Sequence, residues 1–288
     1  MTRFAFIADI HGNLPALDAV ISDIHTQTVD GVWVGGDLVG RGPQGHAVVG
    51  RIAELGWPCI RGNHEDYLLK FRKGDVEPDW LELPEWAAVR WMAAELSDDD
   101  VKYIDGLPLT LRIEGEKPIR LVHGTPDSHS VGIGPWTADK KLVGYLERIE
   151  EYCLVCAHTH RSLERRLEEG LVINTGSVGL PFNGIEKAQY IILTEMDGDW
   201  QVEFRQVEYD RELVYQVYES SGFLATGGVY SWLLMKELEC ASTYLVPFLK
   251  WCEYEEEKPS FERLEPFLSL YDPAQSMRSF YEKITGRR

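Results

Sequence analysis

Three observations predict an α/β layer fold. Short apolar runs alternate with amphipathic helical stretches through the first sixty residues. Histidine, aspartate and asparagine stand just past several of those runs, where the chain leaves a strand for a loop. Two further runs, residues 188–194 and 200–208, flank a turn at Asp197-Gly198-Asp199 and read as a hairpin.

Residues 4–8 read as a strand, with Asp9-Ile10-His11-Gly12-Asn13 at its carboxyl end. Residues 14–27 read as a helix, because Leu14, Leu17, Ile21 and Ile24 recur at helical spacing and Pro15 suits a first turn. Val32-Trp33-Val34 reads as a buried strand. The stretch after it, Gly35-Gly36-Asp37-Leu38-Val39-Gly40-Arg41-Gly42-Pro43, is glycine-rich enough for ions or phosphates to approach the backbone. Asp37 has two carboxylate oxygens and can touch two cations at once. Residues 46–56 predict an amphipathic helix ending near Gly56. A short strand at 58–60 then leads into Arg61-Gly62-Asn63-His64-Glu65-Asp66.

Residues 67 to about 106 are helical, acidic and carry Trp80, Trp86 and Trp91, with start signals at Pro84 and Ser97. They read as a helical layer whose tryptophans fill the core, the alternative being a lid beside a site. Strands resume at 118–122 before His123-Gly124-Thr125-Pro126, at 153–157 before His158-Thr159-His160, and at 171–173 before Asn174-Thr175-Gly176-Ser177-Val178-Gly179. From about 209 the pattern is helical. Residues 226–288 form an aromatic, mixed-charge extension, read as extra helices or as a subunit contact in a homo-oligomer. The expected division is 1–225 with the helical insert at about 67–106, then 226–288.

Composition narrows the function. A net charge of −18 weighs against a nucleic-acid scaffold and against a nuclease acting on long polynucleotides. It does not exclude a small phosphate ester held through bound cations. No apolar run reaches membrane-spanning length, so a cytoplasmic protein with no membrane partner is expected. Five scattered cysteines are not a disulfide framework. Cys153 and Cys156, three apart in a strand-like run, should face opposite sides and read as buried structural thiols rather than a zinc or redox pair.

Five of the eight histidines fall in the strand-end clusters: His11, His64, His123, His158 and His160. Carboxylate, imidazole and carboxamide without thiolate suit Mn, Fe, Zn or Co. His158 and His160, like Asp9 and His11, alternate along what reads as strand-like backbone, so both members of each pair should face one pocket.

Asp9-x-His11, Gly36-Asp37, Gly62-Asn63-His64-Glu65, His123 and His158-Thr159-His160, in that order, resemble the calcineurin-like metallophosphoesterases over residues 1–208. The compact form, with Gly176-Ser177-Val178-Gly179 after the last histidine pair, is most similar to the small prokaryotic members. The resemblance implies two facing β-sheets flanked by helices, a four-layer α/β/β/α sandwich with a two-metal site at the strand ends. It implies Asp9, His11 and His160 on one metal, Asn63, His123 and His158 on the other, and Asp37 between them. Mn is the ion expected to support activity. A hydroxide generated between the cations would attack phosphorus in line, with His64 as general acid to the leaving alkoxide.

Arg41 stands where phosphoprotein phosphatases carry a phosphate-binding arginine, and its planar fork suits that task. The aspartate that orients the histidine in those phosphatases is Gly40 here, which leaves that task to another group, Asp66 or water. Ala157 replaces the glycine usual before the last histidine pair.

Among weaker signals, Gly40-Arg41-Gly42-Pro43-Gln44-Gly45 meets a dinucleotide-binding pattern, but it lies beyond Asp37 and Pro43 interrupts the turn. Asp127 and His129 are candidate substrate contacts or solvated loop residues, and Phe182 and Asn183 are candidate pocket-lining residues. The function expected is dinuclear-metal hydrolysis of a small phosphate mono- or diester. The alternatives are a non-catalytic metal-binding interaction module and a nuclease or nucleotide phosphodiesterase.

Overall fold

The structure, a computed structural model, describes residues 1–275 and 277–286. Strand β1 (Arg3–Ile7) alternates its side chains between two cores, Phe6 toward one and Ala5 and Ile7 toward the other. Helix α1 (Leu14–Thr26) follows, with the Asn13 side chain accepting from Ala16 N and proline in its first turn. β2 (Gly31–Val34) returns parallel to β1, and α2 (Gly45–Leu55) stops at Gly56 in the left-handed conformation. The strand expected at 58–60 is only a single bridge, Cys59 against Val34. The chain turns too soon for more, because α3 (Asn63–Lys73) begins four residues before the expected insert. Asn63 and His64 therefore sit on a first helical turn.

α4 (Ala87–Glu95) and α5 (Asp98–Asp105) complete the insert, α5 capped by Ser97. Trp91 packs on the core and on Phe223, whereas Trp80 and Trp86 stack on each other with ring centroids 4.1 Å apart. Then come β3 (Thr110–Ile113), β4 (Ile119–Val122), α6 (Asp139–Leu146), β5 (Cys153–Cys156), β6 (Leu163–Leu167) and β7 (Gly170–Asn174). The hairpin is β8 (Ala188–Met196) and β9 (Asp199–Val207).

The strands form two mixed sheets, ordered β2-β1-β8-β9 and β3-β4-β5-β7-β6. β1 and β2 are parallel, as are β4, β5 and β7, so their carboxyl ends can meet at one edge of the molecule. Between the sheets lie Phe6, Leu121, Val155, Ile173, Ile191 and Trp200, all buried. The outer face of the second sheet buries Leu154, Cys156 and Val172 under Leu142 and Leu146 of α6. α1, α2, α4 and later helices cover the first sheet, which gives the four layers. Cys153 lies in the inter-sheet core and Cys156 in the outer one, on opposite faces as expected. All five cysteines are free.

The remaining chain is α7 (Arg211–Ser220), α8 (Phe223–Cys240, kinked at Gly228), α9 (Leu245–Tyr254), α10 (Leu264–Leu270) and α11 (Met277–Thr285). α8 runs across residues 225–226. Its Leu234 and Leu238 enter the first sheet's helical core, while Val229 and Leu233 join Phe248, Trp251, Phe267 and Phe280 in a separate aromatic cluster. Among the described residues no helix is long and apolar enough to cross a membrane.

Candidate metal centre

Backbone shape brings the donors together. Asp9, His11, Asp37, Arg41, His158 and His160 all have φ between 52° and 66°, in the left-handed region. Non-glycine residues adopt it at a cost, and such strain gathers at functional sites. This corrects the expected geometry of the two i, i+2 pairs. Asp9/His11 and His158/His160 converge on one cluster through left-handed turns, not through strand alternation.

The imidazoles are oriented from behind. His11 Nδ1 meets Val39 O at 3.2 Å, His123 Nδ1 meets Gly35 O at 2.8 Å, and His160 Nδ1 meets Leu180 O. A neutral ring that donates Nδ1–H to a carbonyl, as at His11 and His160, keeps Nε2 as a bare lone pair toward the cluster. His158 is turned the other way, with Nδ1 2.8 Å from Asn63 Oδ1. That oxygen also faces His123 Nε2 at 3.1 Å. Asp37 Oδ2 lies 3.2 Å from His123 Nε2 and 3.6 Å from His11 Nε2, between the two halves.

Two features of this donor set fit divalent cations. His11 Nε2 and His160 Nε2 are 3.0 Å apart, and both Nδ1 atoms are committed to carbonyls, so two lone pairs point at one another. Asp9 Oδ1 is buried without a hydrogen-bond partner, 3.7 Å from His160 Nε2 and 3.9 Å from His123 Nε2. A cation between such atoms satisfies all of them. Asp9, His11 and His160 form one grouping of metal-ligand geometry, and Asp37, His123 and His158 form another. A third grouping adds His64 to His11 and Asp37.

Electrostatics agree. Burial pushes His11 down to about 3 and His158 to about 4, and holds His64 and His160 well below the usual imidazole range. These rings are therefore neutral, the form that ligates. Burial raises Asp9. Asp37 is held well below the carboxylate range despite its burial, first by His123 and then by His64. His123 goes the other way: against burial, the carboxylates of Asp37 and Asp9 lift it to about 10. The cluster attracts positive charge.

Two glycines make room. A β-carbon at Gly62 would lie 2.2 Å from Asp37 Oδ1, and one at Gly40 would lie 2.4 Å from His64 Nδ1. The His64 ring thus occupies the space that a side chain at position 40 would take. The orienting group expected at Asp66 is elsewhere, since Asp66 pairs with Arg61 at 3.2 Å and with His129 at 2.9 Å. It is Arg41 Nε that reaches His64 Nε2, at 3.3 Å.

Of the candidate substrate contacts, His129 is near enough for its charge to bear on His158. Asp127 is exposed and paired with Arg148 at 2.7 Å. The exposed Asn183 exchanges amide hydrogen bonds with Gln189 at 3.0 and 2.9 Å, which uses one of its two N–H donors. Phe182 stacks on His160, with ring centroids 4.4 Å apart and planes 11° apart.

Three functional neighbours escape the sequence reading. Glu65, fully buried, accepts from the backbone N–H groups of Asp37, Leu38, Val39 and Gly62, tying the Asp37 loop to the start of α3. Its place in Gly62-Asn63-His64-Glu65, three residues after a helix start, is a capping signal that could have found it. Arg161 lies over Phe182 and Trp136, 5.8 and 5.5 Å from their ring centroids. Glu237 of α8 accepts from Arg41 Nη1 at 2.8 Å, and no local pattern announces that contact.

Comparison with known proteins agrees with this geometry. The family model described as calcineurin-like phosphoesterase matches residues 2–162. An uncharacterised protein of Methanocaldococcus jannaschii is 31% identical over 75% of this chain and 91% of its own length. The symmetrical bis(5'-nucleosyl)-tetraphosphatase of Pseudomonas syringae is 27% identical over 47% of this chain, which spans only 44% of that enzyme. The crystal structure of a metallophosphoesterase from Sphaerobacter thermophilus superposes with a TM-score of 0.67 at 26% identity, covering 83% of this chain and 99% of that one.

Proposed function

Because the chain belongs to the calcineurin-like phosphoesterase family, we propose that it is a two-metal hydrolase of small phosphate mono- or diesters. The observation that carries this is the pair of opposed Nε2 lone pairs on His11 and His160, set beside the unpartnered Asp9 Oδ1 and the central Asp37. Asp9, His11 and His160 would hold one cation and Asn63, His123 and His158 the other, with Asp37 shared. The catalytic unit would be residues 1–225 with the α3–α5 insert, and residues 226–288 an extension packed on it.

Two divalent ions, Mn foremost, would supply charge neutralisation at the phosphoryl oxygens and a nucleophile at neutral pH. The chain's own groups do the rest. Arg41, half-buried at the rim, has five N–H donors. Nε and Nη1 are committed to His64 and Glu237, which leaves three for phosphoryl oxygens. His64 Nε2 is covered by Arg41 Nε in this state. A phosphoryl group that draws Nε toward itself, with Nη1 still on Glu237, would uncover Nε2; the added negative charge favours the imidazolium, which would pass its Nε2 proton to the leaving oxygen and return to neutral imidazole. Phe182 covers His160 and keeps water from that side.

Metal-free protein reconstituted with Mn²⁺ should hydrolyse p-nitrophenyl phosphate or its bis ester. A dinucleoside tetraphosphate belongs in the same panel, since a relative is named for that substrate. Inactivity across several metals and esters would favour the interaction module instead.

A further inference from the structure

We infer that Glu237, on helix α8 and outside the family-matched region, is a positioning residue: it anchors Nη1 of Arg41 beside the cluster and makes the C-terminal helices part of the active site. The inference rests on the reading of Arg41 as the phosphate-binding cation. The Glu237 side chain is fully buried. Its Oε1 accepts from Tyr244 N at 2.8 Å and Leu245 N at 2.9 Å, at the start of α9. Its Oε2 accepts from Arg41 Nη1 at 2.8 Å. A buried carboxylate is costly unless every oxygen is paired, and here both are.

Arg41 is held at three points. Nη1 meets Glu237, Nε meets His64 Nε2, and its carbonyl accepts from the Tyr218 hydroxyl of α7 at 2.8 Å. The residue sits at φ 63°, in the left-handed region, where outside contacts are needed to fix a long side chain. Its guanidinium carbon is 5.7 Å from the Phe182 ring centroid, which backs one face of the fork. Gly40 leaves room for the His64 ring on its Nδ1 side, and Arg41 Nε contacts the ring at its other nitrogen. The chain of contacts runs from α9 through Glu237 and Arg41 to His64, so the catalytic edge is completed by a segment remote in sequence.

The test is a double-mutant cycle. E237Q keeps an oxygen for Tyr244 N and Leu245 N but loses the charge that grips Arg41. We expect about a tenfold rise in KM for p-nitrophenyl phosphate and a matching weakening of inhibition by inorganic phosphate, with Mn content unchanged. In an R41A background E237Q should add less than about twofold, because the carboxylate acts through the arginine. Stability gives a second readout that does not need E237Q to fold alone. R41A strands a buried charge and should melt low, and R41A/E237Q should melt higher than R41A. The inference is overturned by an E237Q enzyme within about twofold of wild type, by a penalty undiminished in R41A, or by a double variant that melts no higher than R41A. Wild type inert toward every ester would sink the proposed reaction, while phosphate binding and the melting cycle would still judge the Glu237–Arg41 grip.

Discussion

His64 shows how one side chain is set by what surrounds it. Its backbone N–H donates to Asp37 Oδ1 at 2.9 Å, its ring packs edge-on to His11 with centroids 4.9 Å apart, and Gly40 leaves the space that the ring fills. It adjoins Asn63 but is not needed to close either proposed ligand set. H64Q should therefore retain its Mn while kcat falls by about 10²-fold or more, and further for alkyl than for nitrophenyl esters, because a good leaving group needs no proton. Metal analysis and kinetics on the same preparation check this, and equal loss of metal and rate would refute the general-acid role. At this scale the sequence was informative where donors stand next to strand ends, as with Asp9, His11, Asp37 and His123. It misled where spacing was read as strand geometry, since the left-handed φ at His158 and His160 leaves no trace in residue type. Asn183 reads as a candidate pocket-lining residue, whereas its engagement with Gln189 depends on a fold-specific approach.

Between elements, polar ties fix the insert to the first layer of helices. His46 at the start of α2 reaches Asp100 of α5 at 2.6 Å, and its backbone N–H donates to Glu95 of α4 at 2.9 Å. The hydrogen bond and charge of Asp100 raise the His46 imidazolium above 6.5. A basic group raised on folding contributes stability in full below its unfolded value near 6.5 and loses it as pH climbs through the raised folded value. His46 is largely exposed, so the pair is worth only about 0.2–1 kcal/mol. H46A should cost that much at pH 5.5 and close to nothing at pH 9 in urea melts, and an equal cost at both would contradict the ion pair. Elements were legible in proportion to burial. Interior strands such as β5 and β7, buried at every residue, read as apolar runs. The edge strands β3 (TLRI) and β6 (LERRL) are interrupted by charged residues, and the sequence assigns them no element. The short helix α6 buries only Leu142, Tyr145 and Leu146, too few positions to show a period.

Across the whole molecule, two sheets face each other so that the carboxyl ends of β1, β2, β4 and β5 deliver donors to one place. The backbone N–H of His158, from the second sheet, donates to Asp9 Oδ2, from the first, at 3.0 Å. The two-sheet architecture could be anticipated from the family resemblance, because each motif that carries the resemblance is local. The Glu237–Arg41 contact spans 196 residues and depends on how the last helices dock, which no local pattern encodes. At this scale the proposed centre is a pair of cation sites sharing Asp37. The most direct measurement is anomalous diffraction at the manganese edge from crystals grown with Mn²⁺. Two peaks about 3.5–4 Å apart on either side of the Asp37 carboxylate are predicted. A single peak, or none among these imidazoles, would contradict the shared-carboxylate centre.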